Sequence, residues 1–426
     1  MAMRQAVTEA DPRSDRLHVV VANAELPYPP NAGNRIRTWN LLERLARRHR
    51  ITFVARRGDP EETRQAVEHL ENHGIRAVVV DHQVPAKSGW TFYARLAANL
   101  FSPYPYSVSS HGATELRSAI QSIAARERVH IWQAEWTSYI RAFRGLGSCC
   151  KIVMAQNVES LIWQRYYESE TAPLRRWYIK QQWRKFERFE RRAFAAASRV
   201  VAVSEPDAAL IRDRYGCRAV DVVDNGIDRV YFEAVRPDPD PRTSLFLGSL
   251  DWRPNLDAVG LLLDRIFPAV RAAEPQARLC LVGRKPPQAL VRRVAETPGV
   301  ELHADVPDVR PFLATSGMMV VPLRIGGGSR LKILEAMAVG LPVISTRVGA
   351  EGLELVPGDD YIAADEPEDM VSAVVAQIRN PGPARAMAER SRTYVLERYD
   401  WDSLAQRLER VWFACLEQGA PSGVMS

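Results

Sequence analysis

Arg330, Lys332 and Glu335 follow directly on Ser329 and the glycine run Gly326, Gly327 and Gly328. Glycines let backbone N–H groups come close to a ligand, and a helix starting there adds the positive end of its dipole. Such a turn is suited to an anion, with Ser329 as N-cap and Arg330 projecting from the first helical turn. On a helical wheel Lys332 and Glu335 share the polar side. A cation near the helix start can meet phosphate, and a carboxylate one turn deeper can accept hydrogen bonds from two ribose hydroxyls. The group therefore suits a nucleoside diphosphate. The plain alternative is a solvated i,i+3 pair beside an ordinary tight turn.

The elements that must position these residues are legible on either side. Met318 to Leu323 is an apolar run of strand length, and Leu331, Ile333, Leu334, Met337 and Ala338 recur with helical spacing. Gly340 sits where a helix C-terminal glycine belongs, Pro342 stops any continuation, and Val343 to Ser345 is a second short strand. This is a βαβ unit. The chain begins the same way: strand Leu17 to Ala22, a proline-rich loop containing Gly33, a helix over about Arg35 to Arg48, then strand Ile51 to Ala55. That order opens a doubly wound sheet, whose ligand crevice lies at the strand C-termini. Two further strand ends carry candidates. Leu245 to Leu247 runs into Gly248, which allows close approach of a ligand, with Arg253 just before a helix starting near Asn255. The stretch HIWQAEWTSY reads as strand, turn and helix start, with Glu135 at the strand end.

The segments PLRIGGGSRLKILEAMAVGLPVIST and GAEGL resemble the donor-binding segment of the GT-B glycosyltransferases, in the large retaining group called family 4. PYPPNAGNRIR, AQNVES, DNGID and ADVPDVRPFLATS are similar to further loops of that family, so the resemblance spans Leu17 to about Leu416. It implies two Rossmann-like domains facing a cleft, with the donor on the second domain and the acceptor entering against the first. Glu335 would bind the donor ribose. Arg253 would meet the diphosphate, and Gly33 would lie near diphosphate and acceptor. Gly327 stands where the family often has a glutamate meeting the donor sugar, so backbone N–H groups of Gly327, Gly328 and Ser329 are the replacement expected. Glu135 stands where a histidine often faces the reacting sugar. It could bind a donor hydroxyl or steer the acceptor; the alternative is an exposed glutamate capping the next helix.

The implied reaction is transfer of a glycosyl group from a UDP- or GDP-linked sugar to a saccharide or lipid-linked acceptor, with retention, in polysaccharide or glycoconjugate biosynthesis. In a front-face path no enzymic nucleophile is required. Glu135, Arg330 and Lys332 are the catalytic candidates, and charge on the leaving diphosphate would be stabilised without a metal or other cofactor. Two other classes remain open: a GT-B sugar-nucleotide epimerase and a non-catalytic nucleotide-sugar sensor.

Composition is consistent with this. At 426 residues, 46% of them hydrophobic, the chain can bury two cores of about 200 residues each. The expected domains are 17–228 and 229–400, with a last helix over 401–418 packing back on the first. There is no spanning apolar run and no signal-peptide pattern at the start, so the expected location is cytoplasmic. The five cysteines have no metal-ligand spacing. A net charge of +6 fits anionic ligands or an anionic membrane surface, and no motif points to nucleic acid. The most basic stretch, Leu174 to Ala197, interleaves arginines with Trp177, Trp183, Phe186 and Phe189. It reads either as an interfacial helix on an anionic membrane or as a long helix with aromatics inward and arginines solvated, the second being favoured. Asp238 and Asp240 form a D-x-D within RPDPDPR, which the flanking prolines mark as a solvated linker, Arg236 to Arg242.

Overall fold

The computed structural model describes residues 16–81, 89–110, 114–325 and 330–417. Within them the chain forms two parallel sheets of the doubly wound α/β type. The first contains β1 (His18–Ala22), β2 (Arg50–Arg56), β3 (Ile75–Val80), β4 (Ile131–Ala134), β5 (Cys150–Ala155), β6 (Arg199–Ala202) and β7 (Val220–Val222), in the order β3-β2-β1-β4-β5-β6-β7. The second contains β8 (Asp240–Leu247), β9 (Arg278–Gly283), β10 (Val300–Ala304), β11 (Ser316–Val321), β12 (Val343–Ser345) and β13 (Ile362–Ala363), in the order β10-β9-β8-β11-β12-β13. β1 lies between β2 and β4, and helices cover both of its faces, so Val19, Val20 and Val21 are all fully buried. An unbroken apolar run is what such a strand needs.

Strand order reverses beside β1 and again beside β8. In open α/β sheets the crevice forms at that point, outside the strand C-termini. The loops after β1 and β4 lie at one reversal, and those after β8 and β11 at the other. Gly33, Glu135, Gly248, Arg330, Lys332 and Glu335 all reach the same cleft from these loops and the helices behind them. Gly327, Gly328 and Ser329 lie outside the described residues.

The chain passes between the sheets at 223–228 and returns at 399–401. The two crossings are hydrogen-bonded, Ile227 N–H donating to Tyr399 O at 2.8 Å. A Cβ on Gly226 would lie 2.6 Å from Leu404 Cδ1 and 2.7 Å from Tyr399 O, so only glycine fits there. The last helix, Trp401–Glu417, buries Trp401, Leu404, Leu408 and Trp412 in the core of the first sheet, and Trp412 Nε1–H donates to Gln133 Oε1 at 2.8 Å.

Two expectations need correction. The Arg236 to Arg242 stretch is not a spacer throughout, because β8 already begins at Asp240. Pro241 is accommodated where β11 shifts register beside Gly317, whose Cβ would otherwise lie 2.5 Å from Pro241 Cα. Asp240 pairs with Arg278 and accepts from Arg242 N–H, so the D-x-D closes a strand end. Ser329 is not the cap of the donor helix. That helix is Leu331–Ala338, and Arg330 holds the N-cap position.

The basic helix, Pro173–Ala195, turns Phe186, Phe189 and Phe194 into the core. Arg184, Arg188, Arg191 and Arg192 stay exposed, as do Leu174 and Trp177 in its first turns. Lys185 is buried and donates to Asn99 O at 2.5 Å.

Candidate functional site

The cleft between the sheets has a volume of about 1440 Å³. Small-molecule pockets are usually about 300–1,000 Å³, so two ligands fit side by side.

On its second-domain wall, Gly248 and Gly283 end β8 and β9 back to back. A Cβ on Gly283 would lie 1.9 Å from Gly248 O, and one on Gly248 would lie 2.8 Å from both Lys332 Nζ and Asn255 Nδ2. The two glycines thus leave room for the Lys332 amine, which donates to Asn255 Oδ1 at 2.8 Å and sits 4.4 Å from the centre of the Phe246 ring. Burial, aided by the neighbouring Arg330 charge, pushes the Lys332 amine down to about 7. Burial likewise pushes the Glu335 carboxyl up to about 7, against the pull of Lys332. Although one turn apart, the two form no ion pair: Lys332 is turned to Asn255. Among the described residues no hydrogen bond or ion pair engages the Glu335 carboxylate. It is an acceptor held in the cleft for something the protein does not provide.

Arg330 is buried, its Nη2 donating to Val348 O at 3.0 Å and its Nε to Glu351 O at 3.3 Å. The expected projection from the first turn is therefore replaced by an anchor: one edge of the guanidinium is tied to the loop after β12 while the residue still borders the cleft. Glu351 lies 3.6 Å from Arg330 and accepts both Nη groups of Arg165, from the first domain, at 2.8 Å each. A single carboxylate thus links the donor wall to the opposite domain.

Arg253 departs from expectation. Its guanidinium stacks 4.3 Å from the Tyr166 ring centre and lies 3.5 Å from Glu170, both on the first domain, and it is not among the residues bordering the cleft. As the first residue of helix Arg253–Leu261 it points away from the strand end that Gly248 occupies. Arg284, which the sequence reading passed over, does border the cleft and reaches across it to Asn31 Oδ1 at 2.8 Å. Its signal was the turn glycine before it, Gly283.

On the first-domain wall Gly33 begins helix Gly33–Ala46 at the cleft edge. Glu135 neither caps a helix nor is exposed. Its carboxylate accepts from Thr38 Oγ1 at 2.8 Å and Gln133 Nε2 at 2.5 Å, and lies 3.4 Å from Gln156 Nε2. Burial holds its proton affinity above the usual carboxylate range, those hydrogen bonds opposing. The buried Arg37 is the nearby cation, tied to the first crossing through Val223 O at 2.7 Å and Asp224 O at 2.6 Å. Glu135 is thus built into the floor, where it fixes Thr38 and Gln156. Glu159, Trp136 and Trp163 also border the cleft here, although nothing in the AQNVES and HIWQAEW segments singles them out. Among the described residues no group of three His, Cys, Asp or Glu side chains is placed to hold a metal, and no helix is long and apolar enough to cross a membrane.

Comparison with known proteins adds to this geometry. Residues 33–230 match the family described as Glycosyltransferase Family 4, and residues 241–380 match Glycosyl transferases group 1. The chain is 26% identical over 211 residues to a glycogen synthase of Mycobacterium tuberculosis, covering 47% of this chain and 49% of that one. It is 27% identical over 231 residues to a phosphatidylinositol N-acetylglucosaminyltransferase from Arabidopsis thaliana, covering 51% and 49%. The match thus spans about half the length of these relatives. Among solved structures, sucrose-phosphate synthase from Thermosynechococcus elongatus superimposes with a TM-score of 0.73 at 16% identity, covering 95% of this chain and 100% of that one. Such neighbours identify the fold as GT-B.

Proposed function

Because the chain belongs to the family 4 and group 1 glycosyltransferases, we propose that it moves a glycosyl group from a UDP- or GDP-linked sugar to a saccharide or lipid-linked acceptor, with retention. The observation that carries this reading is the Glu335 carboxylate, unpartnered among the described residues, one helical turn from the Lys332 amine in a cleft large enough for two ligands. Glu335 accepts the two ribose hydroxyls. Lys332 lies toward the diphosphate, with the start of helix Leu331–Ala338 behind it. The acceptor occupies the wall that carries Gly33 and Gln156.

The demanding step is departure of the nucleoside diphosphate from the anomeric carbon. Negative charge grows on the diphosphate oxygens, and fixed positive ends aimed at them lower the barrier. Lys332 is held by Asn255 before any ligand arrives, so little reorganisation is needed as the bond breaks. Arg330 sets the field around it and stays in place through Val348 and Glu351. These cations serve the leaving group without a metal ion. Attack comes from the leaving-group side, and the acceptor's proton passes to the departing phosphate oxygen. Glu135 serves indirectly, by holding Thr38 and Gln156 in the floor. The exposed arginines of Pro173–Ala195, with Leu174 and Trp177, give the protein a peripheral contact with an anionic membrane when the acceptor is lipid-linked.

The test is a panel of UDP- and GDP-sugars, read first by thermal shift and then by nucleotide release with glycosides and lipid-linked sugars as acceptors. A bound donor present at 100 times its Kd should add about 2.7 kcal/mol of stability. Release that depends on an acceptor is the expected result. Binding with neither transfer nor hydrolysis would make the protein a sensor, and altered sugar nucleotide formed without acceptor would make it an epimerase.

A further inference from the structure

The first-domain wall holds an arrangement that the donor chemistry does not use. Helix Glu159–Ser169 starts at the cleft floor, and its first residue, Glu159, is 7% exposed. Glu159 Oε1 accepts from Trp136 Nε1–H at 3.0 Å, while no group among the described residues engages Oε2. Asn157, at 3.5 Å from the same carboxylate, borders the cleft beside it. Trp163, one helical turn on, also borders the cleft and is backed by Phe186, with ring centres 5.8 Å apart and planes 26° apart. The two indoles are therefore held from behind, one by a carboxylate and one by an aromatic ring.

The local charge is acidic. Burial and the nearby Glu190 carboxylate both push Glu159 up to about 7, and no cation offsets them. Glu190 lies on helix Pro173–Ala195 and closes the start of the Glu159 helix, accepting from Glu159 N–H at 2.7 Å and Ser160 N–H at 3.2 Å. It also accepts from Tyr215 Oη at 2.8 Å. Tyr166, further along the Glu159 helix, is the remaining titratable group facing it. A phosphate placed here would meet carboxyls and indoles. Neutral hydroxyls and the C–H face of a sugar ring would meet complementary groups, because an indole's electron-rich face attracts polarised C–H bonds and a carboxyl oxygen accepts from O–H.

We propose that Trp136, Trp163, Asn157 and Glu159 form a saccharide platform on which a pyranose ring of the acceptor lies, so that the acceptor is a glycoside presenting a hydroxyl and not a bare lipid phosphate. This rests on the donor reading above for its direction of transfer, but the platform itself can be probed without a donor.

Saturation-transfer NMR with methyl α- and β-pyranosides of glucose, galactose, mannose and N-acetylglucosamine, with and without UDP, tests it. At least one glycoside should receive saturation at its ring C–H protons. Trp163→Ala should weaken that binding at least tenfold and Trp163→Phe should largely restore it, while Glu159→Gln weakens it less. UDP or GDP affinity by calorimetry should change by less than twofold in all three. No saturation transfer to any glycoside, unchanged binding in Trp163→Ala, or displacement of the glycoside by glycerol phosphate would overturn the platform. Intact nucleotide binding in that case would leave the donor reading standing. Glycoside binding without nucleotide binding would sink the donor reading and keep the platform.

Discussion

If Lys332 meets the diphosphate, nucleotide affinity must depend on pH in a defined direction. In the empty cleft burial holds the Lys332 amine at about 7, so much of it is neutral above neutrality. A diphosphate beside it favours the ammonium form and raises that value. Above pH 7 each binding event then takes up a proton, and affinity falls by about tenfold, or about 1.4 kcal/mol, per pH unit until the bound-state value is reached. The nucleotide's terminal phosphate ionises near 6, so it contributes little on this limb. Below pH 7 the sign reverses, because Glu335, held at about 7 when empty, must lose its proton to accept the ribose hydroxyls. Isothermal titration calorimetry with UDP or GDP between pH 6 and 9, repeated in buffers of different ionisation enthalpy, reads both the affinity and the proton count. Lys332→Met keeps the stem against Phe246 and removes the amine, and it should abolish the basic limb. It should also push Glu335 higher, since Lys332 is the one charge pulling it down, moving the acid limb toward neutrality. A flat profile in the parent protein from pH 7 to 9, or a basic limb that survives in Lys332→Met, would refute the assignment of that amine to the diphosphate.

Other perturbations reach the frame around the cleft. Arg165→Ala removes the two bonds to Glu351 that join the domains. The pair is partly exposed, so stability should fall by no more than about 1 kcal/mol, while small-angle scattering shows a larger radius and turnover drops; unchanged scattering and turnover would dismiss the link. Gly226→Ala puts a methyl against Leu404, Trp401 and Tyr399 O, and denaturant unfolding should show a loss of about 1–3 kcal/mol. A midpoint equal to the parent's would mean that the crossing yields more easily than its contacts imply. Sedimentation with anionic liposomes should weaken with salt and in Trp177→Ser, and the absence of sedimentation at low salt would remove the membrane contact.

The parts of this molecule that were legible in advance are those whose cause is local. The βαβ unit around Leu331–Ala338 announces itself through apolar spacing, Gly340 and Pro342, and Gly248 sits where a strand must end without a side chain. Residues set by distant partners were not legible. Glu135 is satisfied by Thr38 and Gln156, which only the fold brings to it, so neither exposure nor a cleft-facing role could be read from its own segment. Arg253 lies in the expected loop, but its direction is decided by Tyr166 and Glu170 on the other domain. Asp240 looked like linker because Pro241 and its neighbours carry the marks of one. The Gly317 gap that admits Pro241 into a central strand lies far along the chain. Glu159 and Trp163 gave no spacing signal, because their partners Trp136 and Phe186 come from other elements.

The central claim is that the Glu335 carboxylate holds the donor's ribose, and calorimetry of Glu335→Gln with UDP and GDP at pH 7.5 tests it most directly. The amide keeps the shape and removes the charge, so nucleotide affinity should fall by roughly 1–3 kcal/mol, as for a lost hydrogen bond to a charged group, with the melting temperature of the free protein nearly unchanged. Affinity equal to that of the parent protein would contradict the account.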